Sequence, residues 1–419
     1  MNSEALLSEI SARRKNVPEK SLQIYLHIPF CTSKCHFCDW VDDIPVTQLR
    51  SGVSKRRQYV DSLRRQIEHW GPYLGEVGYK TTCIYWGGGT PTRLEAESFP
   101  LIQQSLESAF DLSSLSQHTL ETTPSDLTPE KLEKLEEIGV DRLSIGVQSF
   151  DPDQLRRAGR AHSAEQAVEA IRLAKRSSIE DVNIDLISGF PEETLADFKR
   201  TLEIAVELEP THVSVYSYRA TPRTVMAVQT TRGVRHGLEL DSMIESYELA
   251  QDVLTQAGYR EYCFNYFAKE KKYEFEAGMY GYKLQGDIVG FGAGAESTLG
   301  TFSLLNEDTE LDEYVEDPLG FDTVKPFSLE RPEMFFPLFG AALMTEDGIN
   351  FKRFQYLTGL PFSEAWQSPD IKAWFQYVEN CGAKLSFEDD GIRSADRNIH
   401  RVYLKNLVYT LNPALVELT

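Results

Sequence analysis

At 419 residues the chain is too long for one small domain and has room for two or three, or for one large barrel with an appendage. Its 64 acidic against 43 basic residues give a formal net charge of -21, and a surface this acidic repels a phosphate backbone, which excludes nucleic acid as an expected substrate. The 6 cysteines are unevenly spaced and make no secreted disulfide framework, residues 1–20 mix charges of both signs, and no run of about 18 uncharged apolar residues occurs, so a cytoplasmic protein without a membrane span is expected.

Residues 1–20 read as an extension. Beyond them, short β-branched or aromatic runs alternate with amphipathic helices, the pattern of βα units around a parallel sheet. Strands are expected at residues 23–27, 81–86, 118–121, 142–147, 181–187 and 212–216. The helices between them carry start and stop signals. Thr128 caps one with Pro129 at its first position, Leu132, Leu135 and Ile138 form its inward stripe, and Gly139 ends it. Ser163 with Gln166 forms a capping box ahead of Val168, Ile171 and Ala174. Six units give an α/β fold, a partial (β/α)6 barrel over residues 21–238 that is open on one side, with ligands gathered at the carboxyl ends of its strands.

The polar motifs fall at those ends. After the first strand comes Cys31-Thr-Ser-Lys-Cys35-His-Phe-Cys38, three thiolates spaced to hold three corners of a 4Fe-4S cube. Clusters that only carry electrons usually have four cysteine ligands, so a three-cysteine loop leaves one iron open for a small molecule. S-adenosylmethionine (SAM) suits it, since its amino and carboxylate groups can chelate that iron. The alternative is a zinc site completed from elsewhere, but no second cysteine knuckle exists and Cys83, Cys263 and Cys381 are far apart, as core cysteines are. Gly87-Gly88-Gly89-Thr90-Pro91-Thr92 follows the second strand, Glu121 ends the third, Gln148 follows the fourth, Asp185 lies in the fifth, and Tyr216-Ser217-Tyr218-Arg219 ends the sixth. Such bare glycine backbone on the cysteine face can approach and hydrogen-bond the methionine end of SAM.

Residues 221–237 read as a long polar loop, a candidate lid. From about residue 239 the alternation fades: 241–257 reads as helix, 259–267 as extended chain, and Gly290-Phe-Gly-Ala-Gly-Ala295 as a glycine-rich strand and turn. Residues 239–326 are read as a barrel extension. Residues 327–419 form a small, mostly helical accessory domain, with a turn at Glu388-Asp-Asp-Gly391.

Tyr25-Leu-His-Ile-Pro-Phe-Cys31, the glycine stretch, Arg142-Leu-Ser-Ile-Gly-Val-Gln-Ser-Phe150, Gly159-Arg-Ala-His162, Asn183-Ile-Asp-Leu-Ile187 and the second glycine-rich strand resemble the radical SAM family of oxygen-independent coproporphyrinogen III oxidases and their relatives. The resemblance implies cluster ligation by Cys31, Cys35 and Cys38, with Tyr25 beside the cluster and Phe37 offering its backbone to adenine. It assigns the methionine end of SAM to Gly88, Gly89 and the adjoining Thr90. Glu121, Gln148, Arg160 and Asp185 then match the polar residues that grip SAM. Tyr216, Tyr218 and Arg219 are candidates for a second SAM or the substrate mouth, with Glu296 a weaker one.

Two departures shape the functional expectation. Trp40 stands where the decarboxylating oxidases carry a further cysteine, and Phe275-Glu-Ala-Gly-Met-Tyr280 stands where heme-chaperone relatives carry a His-Asn pair. Both departures point toward class C radical SAM methyltransferases and cyclopropanases. These use two SAM molecules, one cleaved at the cluster and one giving a methylene to an sp2 carbon of a small-molecule substrate in a natural-product pathway. An electron donor such as flavodoxin or ferredoxin is expected with them, as is a partner methyltransferase. Coproporphyrinogen decarboxylation and heme-chaperone binding are the rival expectations.

Overall fold

The computed structural model describes residues 20–38, 52–218, 224–232, 240–283, 286–299, 302–305, 311–319, 323–326, 332–395 and 400. Strand β1, Ser21–Ile28, shows how the sequence builds the barrel wall. Leu22, Ile24, Leu26 and Ile28 are fully buried on one face, while Gln23, Tyr25 and His27 alternate onto the other. The same split recurs in β2 (Lys80–Gly88), β3 (Gln117–Thr122), β4 (Arg142–Gln148), β5 (Asp181–Ser188) and β6 (His212–Ser217). Ile84, Trp86, Leu120, Ile145, Ile184 and Val213 pack in the outer core, and Tyr85, Glu121, Ser144, Asp185 and Tyr216 line an inner cavity. Parallel strands buried on both faces usually read as continuous apolar runs. Here they alternate because the inner face lines a cavity.

β1 to β6 lie side by side in chain order, all parallel. All six match the expected strands within a residue or two. Beyond β6 the sheet continues antiparallel through β7 (Arg260–Cys263) and β8 (Tyr266–Ala268), with β8 next to β6. At the other edge β9 (Asp287–Phe291) pairs parallel with β1, and β10 (Glu296–Leu299), β11 (Phe302–Leu305) and β12 (Thr323–Pro326) follow antiparallel. The result is a 12-stranded sheet ordered β12-β11-β10-β9-β1-β2-β3-β4-β5-β6-β8-β7, whose end strands do not pair with each other. It is a curved, open, partial barrel.

The expected caps are present. Thr128 accepts the Lys131 N–H at the start of helix Pro129–Glu137, and Ser163 and Gln166 form a capping box on helix Ala164–Lys175. The expected loop at 221–237 is partly a helix, Val225–Thr231, capped by Thr224. Its Met226 N–H donates to the His36 carbonyl at 2.9 Å, which fastens the helix to the cysteine loop. The rest of that segment, residues 221–223 and 233–237, lies outside the described residues.

The C-terminal region is mostly helical, with helices Phe336–Leu343, Phe351–Thr358 and Pro369–Asn380 around stacked Phe336 and Trp374. It also holds a small sheet, β13 (Ile349–Asn350), β14 (Leu385–Phe387) and β15 (Gly391–Ser394), in the order β13-β15-β14. The turn read at 388–391 closes the β14–β15 hairpin, with Glu388 N–H donating to Gly391 O at 2.9 Å. Phe339, Phe354 and Trp374 share one core with Tyr262, Tyr266 and Phe275, so this region packs against the end of the barrel sheet. No helix among the described residues is long and apolar enough to cross a membrane.

Candidate active site

The cysteine loop leaves β1 at its carboxyl end and is tied down on two sides. His36 N–H donates to Ala158 O at 2.9 Å, His36 Nδ1 lies 2.8 Å from Arg157 O, and Thr32 Oγ1 donates to Asp126, which also holds Arg93 at 2.9 Å. Gly159 closes the far side with φ +70°, where a Cβ would sit 2.8 Å from the His36 ring. The loop therefore presents Cys31, Cys35 and Cys38 to a single cavity, none of them in a disulfide and all three neither exposed nor fully buried. Burial pushes the Cys31 thiol up to about 11, the largest influence on it, with the Thr90 hydroxyl at 3.8 Å pulling the other way.

The cavity, about 840 Å³, also takes in Gly88, Gly89 and Thr90 at the end of β2. A Cβ on Gly89 would lie 2.8 Å from Ile28 O and 2.7 Å from Phe30 O, so only glycine fits, and it lines the same cavity as the thiols. Arg160 reaches in from the other side, its Nη1 3.1 Å from Cys35 Sγ and its Nη2 donating to Gly146 O at close range. Its buried Nε has no partner among the described residues. Among the described residues no three His, Cys, Asp or Glu side chains converge as ligands of one metal ion. In a cube each thiolate binds a different iron, so three thiols lining one cavity suit it. Three thiols, a bare glycine edge and an arginine with a spare donor fit a 4Fe-4S cluster with SAM beside it.

The inner wall supplies acids and tyrosines. Burial pushes the Glu121 carboxyl up to about 8, although the Tyr85 hydroxyl donates to it at close range. Burial also raises Asp185, opposed by hydrogen bonds from Asn183, Ser144 and Ser214. His27 is lowered to about 4 and His162 to about 3, both first by burial. Tyr25 hydroxyl lies 3.0 Å from His27 Nδ1, and its ring stacks on Tyr85 at 5.8 Å.

Of the residues picked from sequence, Tyr25, Phe37, Gln148, Arg160, Asp185, Tyr216 and Tyr218 all line this cavity with the cysteines, Gly88, Gly89, Thr90 and Glu121. Gln148 sits at a bulge in β4 with φ +72°. Arg219 and Trp40 lie outside the described residues, and Glu296, on β10, is not among the lining residues. Sequence reasoning missed a second wall. Tyr85, Asn265, Tyr266, Phe275 and Gly278 face the thiols across the cavity, and Tyr85, Phe275, Tyr266 and Tyr216 run as an aromatic arc with centroids 5.3, 5.9 and 6.2 Å apart. The alternation within residues 259–267 was the available signal, but nothing local says which face meets the cavity.

A parallel partial barrel with a three-cysteine loop after its first strand, beside a glycine edge on its second, defines a radical SAM enzyme, and the Radical SAM superfamily matches residues 25–205. The heme chaperone HemW of Bacillus subtilis (strain 168) is 32% identical over 67% of this chain and 72% of its own. The oxygen-independent coproporphyrinogen III oxidase of Salmonella typhimurium (strain LT2) is 29% identical over 83% and 77%. The solved coproporphyrinogen III oxidase (HemN) from Escherichia coli shares the fold over 97% of this chain and 93% of that one, with TM-score 0.76 at 23% identity. The chain belongs to the radical SAM superfamily and, within it, to the HemN/HemW family of coproporphyrinogen oxidases and heme chaperones. That family implies a 4Fe-4S cluster and SAM as its cofactors.

These relatives overturn the expectation of methylation or cyclopropanation in a natural-product pathway and of kinship with class C methyltransferases. That expectation leaned on Trp40 and on residues 275–280, two short departures set against similarity spread over two thirds of the chain or more.

Proposed function

We propose that this chain cleaves SAM reductively and acts on a tetrapyrrole of the porphyrinogen type, the compound class named in its oxidase relatives. The observation that carries this reading is that three cysteines, a bare glycine edge and an aromatic arc share one cavity. When bound, a 4Fe-4S cluster supplies the electron that breaks the sulfonium bond of SAM to give methionine and a 5'-deoxyadenosyl radical. Cys31, Cys35 and Cys38 would hold the cluster. Gly88, Gly89 and Thr90 would meet the methionine end of SAM, Phe37 its adenine, and Tyr25, Glu121, Gln148 and Asp185 its remaining polar groups. Tyr216 and Tyr218 would face the substrate. Small-molecule sites span roughly 300–1,000 Å³, and a volume of about 840 Å³ leaves space beside one SAM for the substrate or a second SAM. An external one-electron donor of the flavodoxin or ferredoxin kind completes the scheme.

Arg160 offers the sharpest check on the SAM half. Its planar fork suits a carboxylate, and a lost charge-assisted hydrogen bond is worth about 1.5–3 kcal/mol. Arg160→Ala is therefore expected to weaken SAM binding about tenfold or more in an anaerobic titration, with iron content unchanged. Unaltered affinity would give Arg160 a structural role.

A second reading, heme binding of the HemW kind, is favoured by the charge of the cavity. Besides neutral His162, only Lys34 and Arg160 are basic among its lining residues, few for a substrate bearing several propionates. Anaerobic incubation of the reconstituted protein with coproporphyrinogen, SAM and reductant separates the two. Decarboxylated product formed together with methionine is the expected result. A stoichiometric Soret shift on adding heme, without decarboxylation, transfers the assignment to heme binding, and neither response removes the tetrapyrrole.

A further inference from the structure

Across the inner faces of β4, β5 and β6 runs a hydrogen-bond chain that none of these roles uses. The main-chain N–H of Phe275 donates to the Tyr262 hydroxyl at 2.8 Å, and that hydroxyl lies 2.8 Å from His212 Nε2. His212 Nδ1 lies 2.6 Å from Asn183 Oδ1, which also accepts from Ser214 Oγ at 3.1 Å. Asn183 Nδ2 donates to Asp185 Oδ1 at 2.9 Å and to Ser144 Oγ at 2.8 Å. Ser144 Oγ in turn donates to Asp185 Oδ2 at 2.9 Å.

With Asp185 ionised, the direction of every bond follows. A carboxylate only accepts, so the Asn183 amide turns its NH2 to Asp185 and its oxygen to His212. An amide oxygen only accepts, so His212 carries its proton on Nδ1. Burial holds this imidazole well below its ordinary pKa, hence neutral, which leaves Nε2 to accept the Tyr262 hydroxyl proton. The Tyr262 oxygen then takes the Phe275 N–H. His212 and Asn183 are 0% and 1% exposed, so no water replaces a lost partner.

We propose that Asn183 and His212 are positioning residues that hold the Asp185 carboxylate in one orientation toward SAM and tie it to the Phe275 wall of the cavity. Both ends of the chain, Asp185 and Phe275, line that cavity, whereas Asn183, His212 and Tyr262 stand behind it. The inference rests on Asp185 facing SAM, so Asp185→Asn serves as the control.

Two measurements on the reconstituted full-length protein test it. Selective 15N-histidine NMR with the cluster oxidised is expected to show His212 as the neutral Nδ1–H tautomer, the minor form of free imidazole; an Nε2–H or doubly protonated ring overturns the chain. In anaerobic SAM titrations, His212→Leu and Asn183→Asp are expected to raise Kd about tenfold. His212→Asn, whose amide N–H takes the place of Nδ1–H, is expected to stay within about threefold of wild type, a rescue that packing alone does not give, and Tyr262→Phe tests the far link without removing bulk. If Asp185→Asn weakens SAM and the folded His212 and Asn183 variants do not, the positioning role is wrong. An Asp185→Asn variant with unchanged affinity instead removes Asp185 from the SAM site and the inference with it.

Discussion

Replacing Cys31, Cys35 and Cys38 together by alanine is expected to take anaerobically reconstituted protein from about four irons per chain to none and to abolish 5'-deoxyadenosine formation. On the proposed reading the three thiols are the cluster's protein ligands, and their loop is held by contacts that do not involve sulfur, such as His36 to Ala158 and Thr32 to Asp126. The loop should therefore survive the substitutions, and loss of iron should report ligation. Each single alanine variant is expected to lose SAM cleavage as well, because an iron without its thiolate leaves the open iron misplaced. Cys83→Ala supplies the contrast: this thiol is fully buried in the core and is not among the residues that line the cavity, and the variant should keep its iron. Metal analysis and the visible spectrum of the triple variant decide the matter. A full cluster with normal cleavage there would sink the assignment, and stoichiometric zinc in place of iron in the wild type would restore the zinc alternative.

The six parallel strands were legible because each alternates an apolar outer face with a polar inner one, and because capped helices such as Pro129–Glu137 separate them. The cysteine face was legible for the same reason. Once the strand ends are placed, Cys31, Gly88, Glu121, Gln148 and Asp185 must meet, and they do. What escaped was non-local. Residues 259–267 read as extended and hold β7 and β8, but nothing local showed that β7, β8 and β10 to β12 pair antiparallel at the two ends of the sheet, since hairpins of three or four residues per strand carry no βα signature. The small C-terminal sheet escaped likewise, since β13 has only two residues.

Part of the cavity's second wall lies in that illegible part. Phe275 and Tyr266 reach the cavity from beyond residue 239, where spacing along the chain says nothing about which element packs opposite the thiols. The functional expectation built on residues 275–280 treated that stretch as a missing motif, whereas in the fold Phe275 is a wall residue whose ring lies 5.3 Å from Tyr85. An absent His-Asn pair describes what the wall does not hold. It does not identify what the wall receives, and the relatives spread over the chain outweighed it.

Arg142→Met is expected to cost about 3–5 kcal/mol of stability, the scale for breaking a buried ion pair from one side. Arg142 is 1% exposed on β4, its Nη1 bonded to Asp181 Oδ2 at 2.7 Å, and its guanidinium lies 4.9 Å from the Phe275 ring centroid. Removing it strands the Asp181 carboxylate, whose other donor is Thr211 Oγ1 at 2.8 Å. Asp181→Leu should cost a similar amount by stranding the cation. The double variant Arg142→Met/Asp181→Leu should recover most of the loss, because no charge is then buried, and Thr211 still bonds Val182 N–H at 2.8 Å and Val182 O at 3.0 Å. The buried Arg142 Nε has no partner among the described residues, so even the intact pair leaves one donor desolvated, which favours that recovery. Urea midpoints for the four proteins at constant m-value measure the cycle. A double variant as unstable as either single would mean that the guanidinium packing on Phe275, rather than the charge pair, holds β4 to the cavity wall, and SAM affinity should then fall in step with stability.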